Sequence, residues 1–294
     1  MGNYSIVKYN DVQEIILDNE IIKLIVVPEQ GGRIVEFSRY GVNVLFRNEN
    51  FRYMKGDVTA ERKPENWINF GGYKGWYAPQ SKWKWPPHFD IDLSTFSYEI
   101  SKEEDEIKIV LKSNIALENK LYFIREITMK DKCDFVKVNE TIVNDGKEEL
   151  QLAVWGNIQV LCPGYAEVEL NSDTYYGGIT FYQGFDIPSQ KAYSLSKSHK
   201  NVLTINCDNG ESFKLGTMTD SEKIKYYCKA YEDSELLFTI NFNYEGKKVY
   251  PHGSNVEVYV DKELKYAELE VLGSESSIMP GESKSIEMIW KLEI

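Results

Sequence analysis

Four of the six tryptophans of this chain fall in one run, Trp67 to Phe89, which reads WINFGGYKGWYAPQSKWKWPPHF. Indole and phenol rings offer a flat apolar face with a polar edge. A pyranose has the matching surface, with C–H groups on its faces and hydroxyls around its rim. Lys74, Gln80 and His88 in the same run supply donors and acceptors for such hydroxyls. Trp76, Trp83 and Trp85 are therefore candidate stacking platforms for a sugar. The plainer alternative is that they pin a long loop onto the body of the protein. A second constellation is Tyr266-Ala267-Glu268-Leu269-Glu270-Val271. Strand alternation puts Ala267, Leu269 and Val271 on one face and Tyr266, Glu268 and Glu270 on the other, with the two carboxyls roughly 7 Å apart. Such a pair can serve as base and hydrogen-bond acceptor, fits the spacing of inverting glycoside hydrolysis, or simply faces water. Asp90 and Asp92 in FDIDL repeat the arrangement.

Of the three histidines, His88 has the best context for acid–base work, because it closes the aromatic run. His252, ahead of a Gly-Ser pair, and His199, in SLSKSHKN, are expected to be solvated. There is no HExxH and no His/Cys cluster at ligand spacing, so neither a metal nor an organic cofactor is expected. The GxSxG, GxxxxGK[ST] and GxGxxG signatures are absent as well, which removes the usual marks of serine hydrolases, P-loop enzymes and dinucleotide-binding folds. Cys133, Cys162, Cys207 and Cys228 form no CxxC pair and are expected to be free thiols.

The elements that must position these residues are strands. Period-2 alternation marks Glu20–Val27, Glu106–Leu111, Phe135–Val143, Ala166–Leu170, Leu236–Phe242, Val256–Val260, Ala267–Val271 and Ile286–Leu292. Turn residues lie between them at Asp145-Gly146, Asp208-Asn209-Gly210 and Glu245-Gly246. No long helical stripe is present, so the expectation is an all-β fold of antiparallel strands with few short helices, a single domain over residues 1–294. The glycines and prolines of the Trp67–Phe89 run predict a structured loop and not a central strand. Gly31-Gly32 is expected to be a bulge or a close backbone approach.

The 294 residues carry 34 Lys and Arg against 46 Asp and Glu, a net charge of −12. That balance excludes a surface built to track phosphate backbones or anionic lipid, so neither nucleic acid nor a membrane is an expected partner. No basic leader with a long apolar run precedes the first strand, and the expected compartment is cytoplasmic.

Four segments together resemble the galactose mutarotase-like (aldose 1-epimerase-like) superfamily, and within it a branch that carries the tryptophan run. They are VVPEQGGRIVEFSRYGVNVLF, the Arg125-Glu126-Ile127-Thr128 strand followed by VNETIVNDGKEELQLAVW, the FGGYKGWYAPQ…WKWPP run, and LEVLGSESSIMPGESKSIEMIW. The resemblance implies a β-supersandwich whose broad curved sheet forms an open sugar-binding cleft. In aldose 1-epimerases a glutamate ahead of a Pro-Gly-Glu turn takes the proton from the anomeric hydroxyl, and a histidine on a central strand protonates the ring oxygen. The glutamate matches Glu270, before Pro280-Gly281-Glu282 and Trp290. In place of the histidine motif this chain has Val154-Trp155-Gly156-Asn157-Ile158-Gln159, so Trp155 takes the acid's position. Indole cannot act as a general acid near neutral pH.

The resemblance thus implies a small sugar or short saccharide as partner. Trp76, Trp83, Trp85 and Trp155 are expected to stack on it, and Arg33, Lys74, Gln80, Gln159, Glu268 and Glu270 to hold it. Three activities follow as alternatives. The first is anomer interconversion, with Glu270 as base and His88 or a water as acid. The second is binding without chemistry, with Trp155 as a platform. The third is hydrolysis or elimination on a saccharide, with Arg33, Arg62, Lys74 and Arg125 as the cations available to an acidic one.

Overall fold

The computed structural model describes residues 2–170, 178–196, 201–231 and 234–294. Among these residues two antiparallel sheets of 12 and 10 strands stack face to face. All eight predicted strands are present, mostly a residue or two longer: Ile22–Val27, Glu106–Lys112, Phe135–Asn144, Gly164–Glu169, Ser234–Phe242, Val256–Asp261, Tyr266–Leu272 and Ser283–Glu293. Among the described residues the one α-helix is Phe89–Asp92, and the remaining helical turns are short 3₁₀ segments. No helix there is long and apolar enough to cross a membrane. The four cysteines are free.

The larger sheet builds the cleft. Its central strands run in the order Arg33–Arg39, Tyr73–Ala78, Leu150–Leu161, Tyr266–Leu272, Val256–Asp261 and Phe213–Thr217. Alternation sends one set of side chains between the sheets, including Val154, Ile158, Leu269, Val271, Val258 and Leu215, all buried. The opposite set points outward as a polar and aromatic floor. Residues directly opposite in register share a face, which places Lys74, Asn157, Glu270 and Glu257 in one row across four strands. Gln159, Glu268, Tyr259 and Lys214 form the next row.

The Tyr73–Ala78 strand corrects the expectation that Trp67–Phe89 is all loop, since it is buried throughout and sits mid-sheet. Its breakers lie where a strand tolerates them. Gly71 and Gly72, with φ of 87° and 68°, turn the chain into it, and the prolines follow it. Gly75 leaves room for the second sheet, because a Cβ there would stand 2.4 Å from Glu140 Oε1. Asp90 and Asp92 likewise belong to the short helix and not to a strand face. Gly31-Gly32 is the close approach expected: a Cβ on Gly31 would lie 2.1 Å from the Asp92 carbonyl oxygen.

Between the sheets Arg125 Nε donates to Glu140 Oε2 at 2.7 Å and Nη2 to Oε1 at 3.2 Å, while the Tyr73 hydroxyl donates to Oε2 at 3.0 Å. Arg125 Nη1 also reaches the Gly32 carbonyl, so this buried pair fixes the turn that leads into Arg33. Removing one partner of a buried, hydrogen-bonded pair strands the other charge at a cost of about 3–5 kcal/mol. Arg125→Met should therefore lower the urea unfolding free energy by about that amount, and a loss below about 1 kcal/mol would show that Glu140 is neutralised in another way.

Candidate sugar-binding cleft

The floor residues enclose a cavity of about 470 Å³ lined by Trp67, Trp76, Trp85, Trp155, Lys214, Tyr259, Tyr266, Glu268 and Glu270, with Asn69, Gln80, Phe185, Asp261 and Leu264 at its edges. That volume is ordinary for a small-molecule site. Beneath it lies a set of ion pairs. Lys74 Nζ donates to Glu268 Oε1 at 2.9 Å, and Gln159 Nε2 donates to the same oxygen at 2.7 Å. Lys214 Nζ stands 2.7 Å from Glu257 Oε2 and 2.8 Å from Glu270 Oε2. Arg33 Nη2 donates to both Asp92 oxygens at 3.2 Å.

The indoles are tied to the same carboxylates. Trp155 Nε1 donates to Glu270 Oε2 at 3.0 Å, and Trp76 and Trp67 donate to Asp92 at 2.8 Å each. The two lysine ammoniums also lie against ring faces, Lys74 4.5 Å from the Trp76 centroid and Lys214 4.7 Å from that of Trp155.

These neighbours set the protonation of the floor. Burial pushes the Glu268 carboxyl up, but the Lys74 ammonium and the amides of Gln159 and Asn157 outweigh it and hold it at about 2. Burial acts the same way on Glu257, where Lys214, His252 and the hydrogen bond from Glu270 prevail and give about 2. Glu270 goes the other way. Burial, with the charges of Glu257 and Glu268, raises it well above the carboxylate range against the pull of Lys214. Of the three floor carboxyls, Glu270 is thus the one whose neutral form is most favoured, by burial and by the neighbouring carboxylates.

Of the residues singled out in the sequence, Trp76, Gln80, Trp85, Trp155, Glu268 and Glu270 line the cavity. Lys74, Gln159 and Arg33 lie one layer below and hold Glu268 and Asp92 in place. Trp83 is buried against Trp76 and Trp155, its Nε1 donating to the Tyr77 carbonyl, so it packs against the floor rings without lining the cavity. His88 is not at the cavity. It stacks on Tyr77, with Arg62 Nη1 2.9 Å from its Nδ1, and burial together with that guanidinium lowers its pKa.

The remaining cations offered for an acidic ligand are also placed elsewhere, Arg62 beside Glu118 and Arg125 between the sheets. His199 lies outside the described residues. His252, expected in a solvated turn, is half-buried at φ 59° with its ring 5.4 Å from that of Trp155. The Gln80 backbone N–H donates to its Nε2 at 3.0 Å, which leaves Nδ1 to donate to Glu257 Oε1 at 2.8 Å. Lys214 and Glu257 were missed as well. The signal was available, since alternation in FKLGT and VEVYV puts each on the outward face of a predicted or adjacent strand.

No protein-family model and no curated protein sequence matches the chain. Solved structures do. A candidate aldose 1-epimerase from Klebsiella pneumoniae superposes with a TM-score of 0.66 at 10% identity, covering 99% of this chain and 84% of that one. A galactose mutarotase-like protein from Clostridium acetobutylicum gives 0.59 at 13% identity over 100% and 98%. The chain has the galactose mutarotase-like fold. It also matches a TPR-domain-containing protein from Parabacteroides distasonis at 0.64 and 15% identity, over 96% of this chain and 47% of that one, so it spans about half of that protein. The polar cleft on the larger sheet is thus carried by a galactose mutarotase-like sandwich, and its chemistry is set by this chain's own side chains.

Two isosteric changes separate the carboxyls. A folded-state value near 2 for Glu268, against 4.5 unperturbed, contributes stability that is present above pH 4.5 and is lost as pH falls toward 2. Glu268→Gln should lose about 3 kcal/mol at pH 7, the deficit closing over that window. Burial and the neighbouring carboxylates favour the neutral form of Glu270, and its glutamine amide can accept from Trp155 and Lys214 while donating to Glu257. Glu270→Gln should therefore change stability by less than about 1 kcal/mol at pH 7. Equal losses in the two variants, measured by denaturant titration from pH 3 to 8, would contradict the assignment.

Proposed function

We propose that the cleft binds an uncharged saccharide, with a pyranose lying against Trp76 and Trp155 and its hydroxyls on Glu268, Glu270 and Lys214. The observation that carries this reading is the pairing of every buried cation of the floor. Arg33, Lys74 and Lys214 each have a carboxylate within 3.2 Å. Against three cations stand Asp92, Glu268, Glu257 and Glu270, so among the described residues the floor keeps no unpaired cation for a phosphate or carboxylate. The rim adds Asp261, a further acceptor. Hydroxyls suit such a surface because they both donate to carboxylates and accept from ammonium and acid groups.

Anomer interconversion is the second reading, favoured by the upward shift of the Glu270 carboxyl. Ring opening needs a proton at the ring oxygen and a group to take the anomeric proton. Glu270, whose neutral form burial favours, would supply the first, and Glu268, two residues along the same strand, is the carboxylate for the second. This exchanges the base role that the family resemblance gives to Glu270 for an acid role. Pairing with Lys74 makes Glu268 a weak base, so any such exchange is expected to be slow.

One NMR experiment reads both. Glucose and galactose should show line broadening with the protein, and their 6-phosphates should bind at least roughly tenfold more weakly, since a phosphate would meet only paired cations. Tighter binding of the phosphates would overturn the uncharged-ligand reading. Exchange between α and β anomers faster than in buffer, abolished in Glu270→Gln, would establish the second reading, and an unchanged rate would leave binding alone.

A further inference from the structure

We infer that the cleft is built for two or more linked pyranoses, of which a single ring fills only part, an inference that rests on the saccharide reading above. Sheet register sets the distances. Trp76 and Tyr259 both project from the floor, and between their strands lie Leu150–Leu161 and Tyr266–Leu272. Three strand spacings separate them across the sheet, about 14 Å, and the register adds an offset of four residues along the strands, about 13 Å. A single pyranose cannot bridge that span.

At each end the aromatic floor continues into an exposed ring carried by a loop. Trp85, 43% exposed, packs 4.9 Å from Trp67 and 6.1 Å from Trp76. Phe185, 42% exposed, lies 5.9 Å from Tyr259 on the other side. Both line the same cavity, and between them the floor is polar, with Glu268 and Glu270 on the intervening strand. A lone sugar over the carboxyls would leave both exposed rings facing water, and a lone sugar on either ring would leave the carboxyls unused. Linked units place one ring on each aromatic end and their hydroxyls over the acidic centre. Two exposed aromatics brought to one cavity by distant loops are better accounted for by such a ligand than as scattered surface residues.

Calorimetric titration with glucose and galactose, and with their α1,4- and β1,4-linked trimers, tests this. At least one trimer should bind roughly tenfold or more tightly than its monomer, one stacking contact being of that order. Trp85→Ala and Phe185→Ala should each bring the trimer-to-monomer affinity ratio toward one. Monomers that bind as tightly as trimers would overturn the inference and leave the saccharide reading standing. So would a trimer preference that survives in both variants, because the longer chain would then be held elsewhere. If no monomer and no trimer binds, the saccharide reading itself falls, and this inference with it.

Discussion

Lys214 Nζ sits between two buried carboxyls, 2.7 Å from Glu257 and 2.8 Å from Glu270, in the outward floor of a sheet whose other face is the apolar core. Taking such groups out of water costs several kcal/mol per ion unless each is neutralised in place. The floor meets that demand by pairing each cation with a carboxyl, Lys214 bridging two of them. The arrangement spans six strands, so its geometry depends on register: Glu257 stands opposite Glu270, Tyr259 opposite Glu268, and Lys214 opposite Tyr259. A one-residue slip of any of these strands would turn its charges into the core. Charge pairing and sheet register are in this sense one constraint, and the cleft is the surface that satisfies it.

The aromatic residues divide into two groups by how their polar edges are used. The indole N–H groups of Trp67, Trp76 and Trp155 are committed to Asp92 and Glu270, so those rings are held rigid, and Trp76 and Trp155 expose only a small part of their surface. Trp83 packs against Trp76 and Trp155. Polar selection of a ligand then falls to the carboxyls and Lys214, and apolar contact to preset rings. Little side-chain ordering remains to be done on binding, which favours affinity for a shallow, hydroxylated ligand.

Much of the frame was legible in the sequence, because alternation of β-branched residues with polar ones is a local signal. The Tyr266–Leu272 strand is the clearest case: its two faces follow directly from the order of its residues, and Glu268 and Glu270 reach the cleft as that order requires. Legibility failed where the deciding neighbour is distant. The glycines around Tyr73–Ala78 look like loop residues until Glu140, on the other sheet, is seen to need the space beside Gly75. His88 carried a sequence context suited to acid–base work, yet Arg62 and Tyr77 hold it away from the cavity. His252 looked like a turn residue and is one, but its ring nitrogens join the Gln80 backbone to Glu257 across the cleft. Protonation could not be read at all, since the opposite shifts of Glu268 and Glu270 depend on which lysine and which carboxyl lie across the sheet.

The central claim is that an uncharged sugar lies on the Trp76–Trp155 floor above a closed ion-pair network. Its most direct measurement is a ¹H–¹⁵N titration of the six indole N–H signals with glucose and galactose. Trp155 and Trp76 donate to carboxylates that the sugar would contact or adjoin, so their signals should move together and saturate. Trp290, fully buried between the sheets, should stay fixed. Saturable shifts at Trp76 and Trp155 with Trp290 unmoved are the predicted result. Indole signals that all remain in place at saturating sugar would contradict it.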